Sequence, residues 1–159
     1  TSKLLPDILQ EDFRDFLQAI NDHEVRYIMV GGLAVVLHGH ARVTGDMDIW
    51  VDCTEDNYKK LAKAFEQFHM PVFDMTLERF LNVSANDVFS FGRNPVAIDV
   101  MTVVKGLNFE DAYKLSTIFD DDGLFIRVLH INHLIEAKKA AGRLKDLDDI
   151  QQLRKRKGK

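Results

Sequence analysis

With 159 residues, of which 46% are hydrophobic and 29% charged, the chain has the length and apolar content of one globular domain with one core. Its formal net charge of −4 gives no global basic field for nucleic acid, and its one cysteine, Cys53, leaves no disulfide framework or cysteine-based zinc site within a single chain. No apolar run approaches membrane-spanning length, and the opening TSKLLPDILQ lacks the charged-then-apolar pattern of a signal peptide, so a cytoplasmic location is expected.

The spacing of Ile8, Phe13, Phe16, Leu17 and Ile20 predicts a helix over Pro6 to Asn21, with Asp7, Glu11 and Asp12 suiting the positive end of its dipole. Tyr27 to Val30 reads as a short buried strand ending on Gly31-Gly32, and Leu33 to His38 as the helix that follows. After a loop from His40 to Gly45, Asp46 to Asp52 alternates as a strand. Met47, Ile49 and Val51 face one side of it, and Asp46, Asp48 and Trp50 the other. Thr54 caps a helix running to about Phe68, and Leu77 to Leu81 is a further helical turn or two.

Val88 to Phe91 and Val96 to Val104 form a predicted hairpin around Gly92-Arg93-Asn94-Pro95. Glu110 to Tyr113 is a short helix. Thr117 to Asp120 and Leu124 to Leu129 flank the turn Asp121-Asp122-Gly123. Two helices close the chain, Ile131 to Ala141 with Asn132 as the candidate cap, and Leu144 to Arg156, with Gly142 breaking or bending the segment between them. The order predicts a single α/β (α+β) domain over 1–159, with a mixed sheet in a core at 25–104 and C-terminal helices at 131–157. The run Arg154-Lys155-Arg156-Lys157 reads most plainly as a solvated terminus and more sharply as a polyanion contact.

Asp46 and Asp48 lie two apart on a strand and so point the same way. Two neighbouring carboxylates call for a counter-charge, and hard oxygen ligands suit Mg2+ or Mn2+. Taken alone, an Asp-x-Asp pair is better explained by a solvent-facing sheet. Asp99 adds to it because it lies in the middle of an otherwise apolar strand, where a charge needs a partner or a metal. The competing partners are Arg42, Arg93 and Lys138. Gly31 and Gly32 let the backbone approach a phosphate at the start of a helix, while Arg42 and Thr44, just before the acidic pair, are candidates to hold phosphate oxygens. Trp50 either stacks on a base or packs on the sheet. Of the six histidines only His40, in its loop, is a candidate for touching phosphate.

Gly31-Gly32, Asp46-x-Asp48 and Asp99 together resemble the pattern of the polymerase-beta-type nucleotidyltransferase superfamily. That pattern is an apolar strand, a Gly-Gly or Gly-Ser, a helix, an acid-x-acid strand and a third acid on a later strand. Gly39-His40 and Arg42 make the chain most similar to the AbiEii toxin-type and related uncharacterised bacterial members. The segment from Leu134 to Ile150 is similar to their lysine, arginine and Lys-Asp helical stretch. The resemblance implies a nucleotidyltransferase core in which Asp46, Asp48 and Asp99 hold two Mg2+ (or Mn2+) ions and carry the catalysis. It also implies that Gly31, Gly32, Arg42, Thr44 and Lys138 bind the nucleoside triphosphate.

The expected reaction transfers a nucleoside monophosphate to an acceptor hydroxyl with release of pyrophosphate. A tRNA, a protein or a small hydroxylated molecule is left open as the acceptor. A homodimer or a partner protein, as in a toxin–antitoxin pair, is left open too. The roles of Arg143, Lys145 and Asp146 stay open between supporting the site and forming surface ion pairs. The alternative function is a non-catalytic nucleotide- or partner-binding module of the same fold.

Overall fold

The computed structural model describes residues 11–40, 45–93 and 96–157, without the side chains of residues 93 and 96. Arg42, Thr44 and the Pro6 start of the first helix lie outside the described residues. The elements in chain order are α1 (Glu11–Asp22), β1 (Tyr27–Val30), α2 (Gly31–Leu37), β2 (Asp46–Val51), α3 (Glu55–Gln67), α4 (Leu77–Leu81), β3 (Val88–Arg93), β4 (Val96–Met101), α5 (Phe109–Leu115), β5 (Thr117–Asp121), β6 (Leu124–Val128), α6 (Ile131–Ala141) and α7 (Leu144–Lys157).

The strands form one mixed sheet in the order β3-β4-β2-β1-β6-β5. β2 lies at its centre, antiparallel to β1 and parallel to β4. The expected hairpins, β3–β4 and β5–β6, form the two antiparallel edges. Both faces of β2 carry apolar side chains, but only one is wholly apolar. Met47, Ile49 and Val51 are fully buried toward α1 and α3, where Phe16 meets Phe65 and Phe68 edge-on and Phe65 meets Phe91 of β3. The other face of β2 carries Asp46, Asp48 and Trp50.

Local chemistry sets the element ends. Thr54 caps α3 as expected, accepting a hydrogen bond from the Asn57 backbone N–H at 3.1 Å. The cap of α6 is His130, whose Nδ1 accepts from the Asn132 N–H at 3.0 Å, so Asn132 is not the cap but the residue that is capped. Gly142 ends α6 in a left-handed conformation, φ 68°, and α7 then starts afresh. The helix predicted from Leu33 begins two residues earlier, at Gly31, and the strand predicted to Val104 ends at Met101. Cys53 is half-buried and donates to the Phe80 carbonyl at 3.3 Å, a structural thiol. No helix among the described residues is long and apolar enough to cross a membrane.

Candidate active site

Asp48 and Asp99 are direct neighbours in the parallel β2–β4 register, and Asp46 lies two residues before Asp48 on the same face. The acidic strand and the later aspartate therefore pair side by side, as the sequence requires if the three are to share a site. Ser90 of β3 continues the row as the cross-strand partner of Asp99. The Asp48 carboxyl is pushed up to about 7, first by burial, then by the charge of Asp99 and a hydrogen bond with it, then by Asp46. Lys138 acts in the opposite sense. Two carboxyls in hydrogen-bond contact on a half-covered sheet face are a pair that a cation would relieve.

The glycine pair serves this carboxylate directly. Gly31 adopts φ +71°, and a Cβ built on it would lie 2.0 Å from Asp48 Oδ2. Only glycine accepts both the left-handed backbone and that approach. Strand β1 brings the contact about, because Val30 pairs with Asp48 and the next residue turns into α2.

Opposite the carboxylates, α6 and the start of α7 close a cleft of about 240 Å³. Its apolar wall includes Met101, Val103, Val104, Leu134 and Ala137, and its polar groups are Asp48, Lys105, Lys138, Arg143 and Asp146. Lys138 is buried and bonds to Asp146 at 3.2 Å and Asp149 at 3.3 Å. It is therefore not the ion-pair partner of Asp99. Arg143 forks onto the same Asp146 through Nε at 2.6 Å and Nη2 at 3.2 Å, and its backbone N–H adds a third bond at 3.1 Å. Burial alone would push the fully buried Asp146 carboxyl up. The bonds from Arg143 and Lys138 outweigh it and hold Asp146 below the usual carboxylate range. Asp146 is thus the anchor of two cations on the cleft wall, not a member of a surface ion pair.

Trp50 shares the carboxylate face but is 2% exposed, donates to the Thr102 carbonyl at 3.3 Å and meets Phe109 of α5 edge-on. It packs the sheet and offers no ring to a base. His40 sits 3.6 Å from Asp149 and 3.8 Å from Asp148, against α7. These three residues bring ligand-type atoms within 4.8 Å of one another, the one such grouping among the described residues. Lys105 is a cleft residue that the sequence reading missed. Its only signal is position, just past the strand that carries Asp99.

The six-stranded mixed sheet and its flanking helices are a nucleotidyltransferase-like fold. Two solved structures share the fold. A candidate nucleotidyltransferase from Thermotoga maritima aligns with 15% identity and a TM-score of 0.56, covering 87% of this chain and 88% of its own. An antigenic nucleotidyltransferase-like protein from Paracoccidioides brasiliensis aligns with 15% identity and a TM-score of 0.57, covering 93% of this chain and 76% of its own. No curated protein sequence matches the chain. Residues 7–155 match the family described as nucleotidyltransferase of unknown function (DUF6036), and the chain belongs to that family.

Proposed function

We propose that this protein is a metal-dependent nucleotidyltransferase that moves a nucleoside monophosphate from a nucleoside triphosphate to an acceptor hydroxyl. The observation that carries this is the pairing of Asp48 with Asp99 across β2 and β4, with Asp46 on the same face and Gly31 making room for Asp48. In chemistry the donor set suits a hard divalent cation, since it is all carboxylate and burial, then the charges of Asp99 and Asp46, raise the Asp48 carboxyl. Asp46, Asp48 and Asp99 would hold two ions, Mg2+ or Mn2+, which supply positive charge to the triphosphate and acidify the attacking hydroxyl.

Asp99 takes the proton of the acceptor hydroxyl. The hydroxyl oxygen attacks the α-phosphorus, the bond to the β-bridging oxygen breaks, and pyrophosphate leaves with the electron pair. The Gly31 and Gly32 backbone amides approach the phosphates on one side. Lys138 and Arg143 stabilise the leaving charge from the opposite wall. Arg42 and Thr44 complete the phosphate set on the approach to β2. Gly39-His40, Arg42 and the lysine–arginine–Lys-Asp stretch support kinship with the AbiEii toxin-type enzymes.

Incubation with labelled triphosphates, Mg2+ and a total cell extract tests this reading. One class of molecule should become labelled, and Asp46→Asn or Asp48→Asn should remove the label. Transfer surviving in the double variant would sink the mechanism. A second reading, a non-catalytic nucleotide-binding module, is favoured by one observation. The Lys138 ammonium is already engaged by two carboxylates. Triphosphate binding without pyrophosphate release against a broad acceptor panel would select it.

A further inference from the structure

The order of the strands lays out more than a set of carboxylates. Across the sheet from β1 through β2 and β4 to β3, one face carries Gly31 just past the end of β1, then Asp48, Asp99 and Ser90, the last three in register. Adjacent strands lie about 4.8 Å apart, so these residues stand in one line. Its two ends differ. The Gly31 end opens on the cleft walled by Lys138 and Arg143, where the proposed function puts the leaving pyrophosphate. The other end is Ser90, exposed on the edge strand β3.

The kind of pairing brings Ser90 close to Asp99. The Thr102 N–H donates to the Asp87 carbonyl at 3.0 Å, which makes Asp87 and Thr102 a hydrogen-bonded pair of the antiparallel ladder. Such pairs alternate, so Ser90 and Asp99 form a non-hydrogen-bonded pair, with Cα atoms about 4.5 Å apart and side chains at their closest. The neighbours of Ser90 on this face leave it open, since Gly92 has no side chain and Val88 is 48% exposed. Its hydroxyl is also uncommitted. Ser84 donates to Asn82 Oδ1 at 2.9 Å and Ser116 to the Tyr113 carbonyl at 2.6 Å, whereas Ser90 makes no hydrogen bond among the described residues. Thr102 also has an unpartnered hydroxyl, but it is buried.

We propose that Ser90 is an acceptor for the chain's own transfer reaction, so that the protein nucleotidylates itself and closes its acceptor side. This rests on the proposed transfer function and adds to it a modification site and a brake. The Ser90 Oγ attacks the α-phosphorus from the side opposite the cleft, in line with the leaving oxygen. The Oγ–P bond forms as the bond to the β-bridging oxygen breaks. The hydroxyl proton passes to Asp99, and pyrophosphate leaves with the electron pair. Holding both reactants on one sheet makes the step unimolecular and removes the entropic cost of bringing them together. The phosphodiester left on Ser90 sets a negative charge and a nucleoside beside Asp99, where a second acceptor would have to approach.

The test is incubation of the full chain with α-labelled triphosphate and Mg2+ or Mn2+, with no other acceptor, followed by trypsin. Label and the added mass of one nucleoside monophosphate should fall on the peptide of residues 80–93, and fragmentation should place both on Ser90 and not on Ser84. The rate per chain should not depend on chain concentration. Ser90→Ala should lose the label, and Ser90→Thr, which restores a hydroxyl on the strand, should keep it, with melting temperatures showing that both variants are folded. Native chain pre-incubated with triphosphate should transfer to an extract acceptor more slowly than fresh chain, and pre-incubation should not slow Ser90→Ala. The inference is overturned if the label sits on another residue, if labelling per chain accelerates with chain concentration, if Ser90→Ala labels as the native chain does, or if pre-incubated chain transfers at the full rate. If the chain labels an extract molecule and not itself, the inference falls and the transfer reading stands. If neither is labelled, the transfer reading has failed as well.

Discussion

Gly31 and Asp48 show how one missing side chain shapes the site. Gly31→Ala should cost about 1–2 kcal/mol from the left-handed backbone alone. Moving Asp48 away from the new methyl group should add to that and abolish nucleotide-dependent labelling, read by denaturant melts and the transfer assay together. Asp48→Asn should behave oppositely in stability. It removes one of two carboxyls in contact, so it should unfold no more easily than the native chain while losing transfer.

His38 gives a pH dependence of known sign. Burial lowers its pKa below 6.5, only partly offset by its hydrogen bond to the Leu129 carbonyl at 2.8 Å, and the nearby His130 lowers it further. The folded chain therefore holds His38 neutral while the unfolded chain takes up a proton. The stability from this group is present above about pH 6.5 and is lost as pH falls toward the folded pKa. Melting temperatures at pH 7.5 and 5.5 should differ less in His38→Gln than in the native chain.

At the scale of elements, the contact of α6 with α7 is made by charge as much as by apolar packing. Lys138 of α6 bonds to Asp146 and Asp149 of α7, and Arg143 between the helices closes on Asp146. Removing Asp146 leaves Lys138 with Asp149 alone and frees the more exposed Arg143, a loss of buried charged hydrogen bonds that costs about 1–3 kcal/mol. Asp146→Ala should therefore destabilise the chain by about that amount and weaken triphosphate binding by loosening both cleft cations. Chemical denaturation and calorimetric titration would read the two effects. If stability fell while triphosphate affinity held, Asp146 would be a support for the helix pair alone.

Across the whole molecule, ligand binding should appear as stability. A divalent ion and a triphosphate at about a hundred times their dissociation constant add about 2.7 kcal/mol, which for a chain of this size raises the melting temperature by about 5–10 °C. Chelation should reverse the shift, and Asp46→Asn with Asp48→Asn should never show it.

Most of the architecture was legible because periodicity is a local property. The elements from Thr54 onward, both hairpins and the C-terminal helices followed from spacing and turn residues. The candidate site was legible in its identities, since Gly-Gly, Asp-x-Asp and an aspartate inside an apolar strand each break a local rule. Their relations were not legible. Strand order decides that Asp99 stands beside Asp48 and that Gly31 lies under its carboxylate. Helix packing decides that Lys138 meets Asp146, that Trp50 is covered by Phe109, and that His40 faces Asp148 and Asp149. Sequence by itself determined which residues carry the charge and which segments are strands or helices, because those depend on neighbours along the chain. Only the tertiary structure decided which charges meet, because burial and strand pairing join residues far apart in sequence.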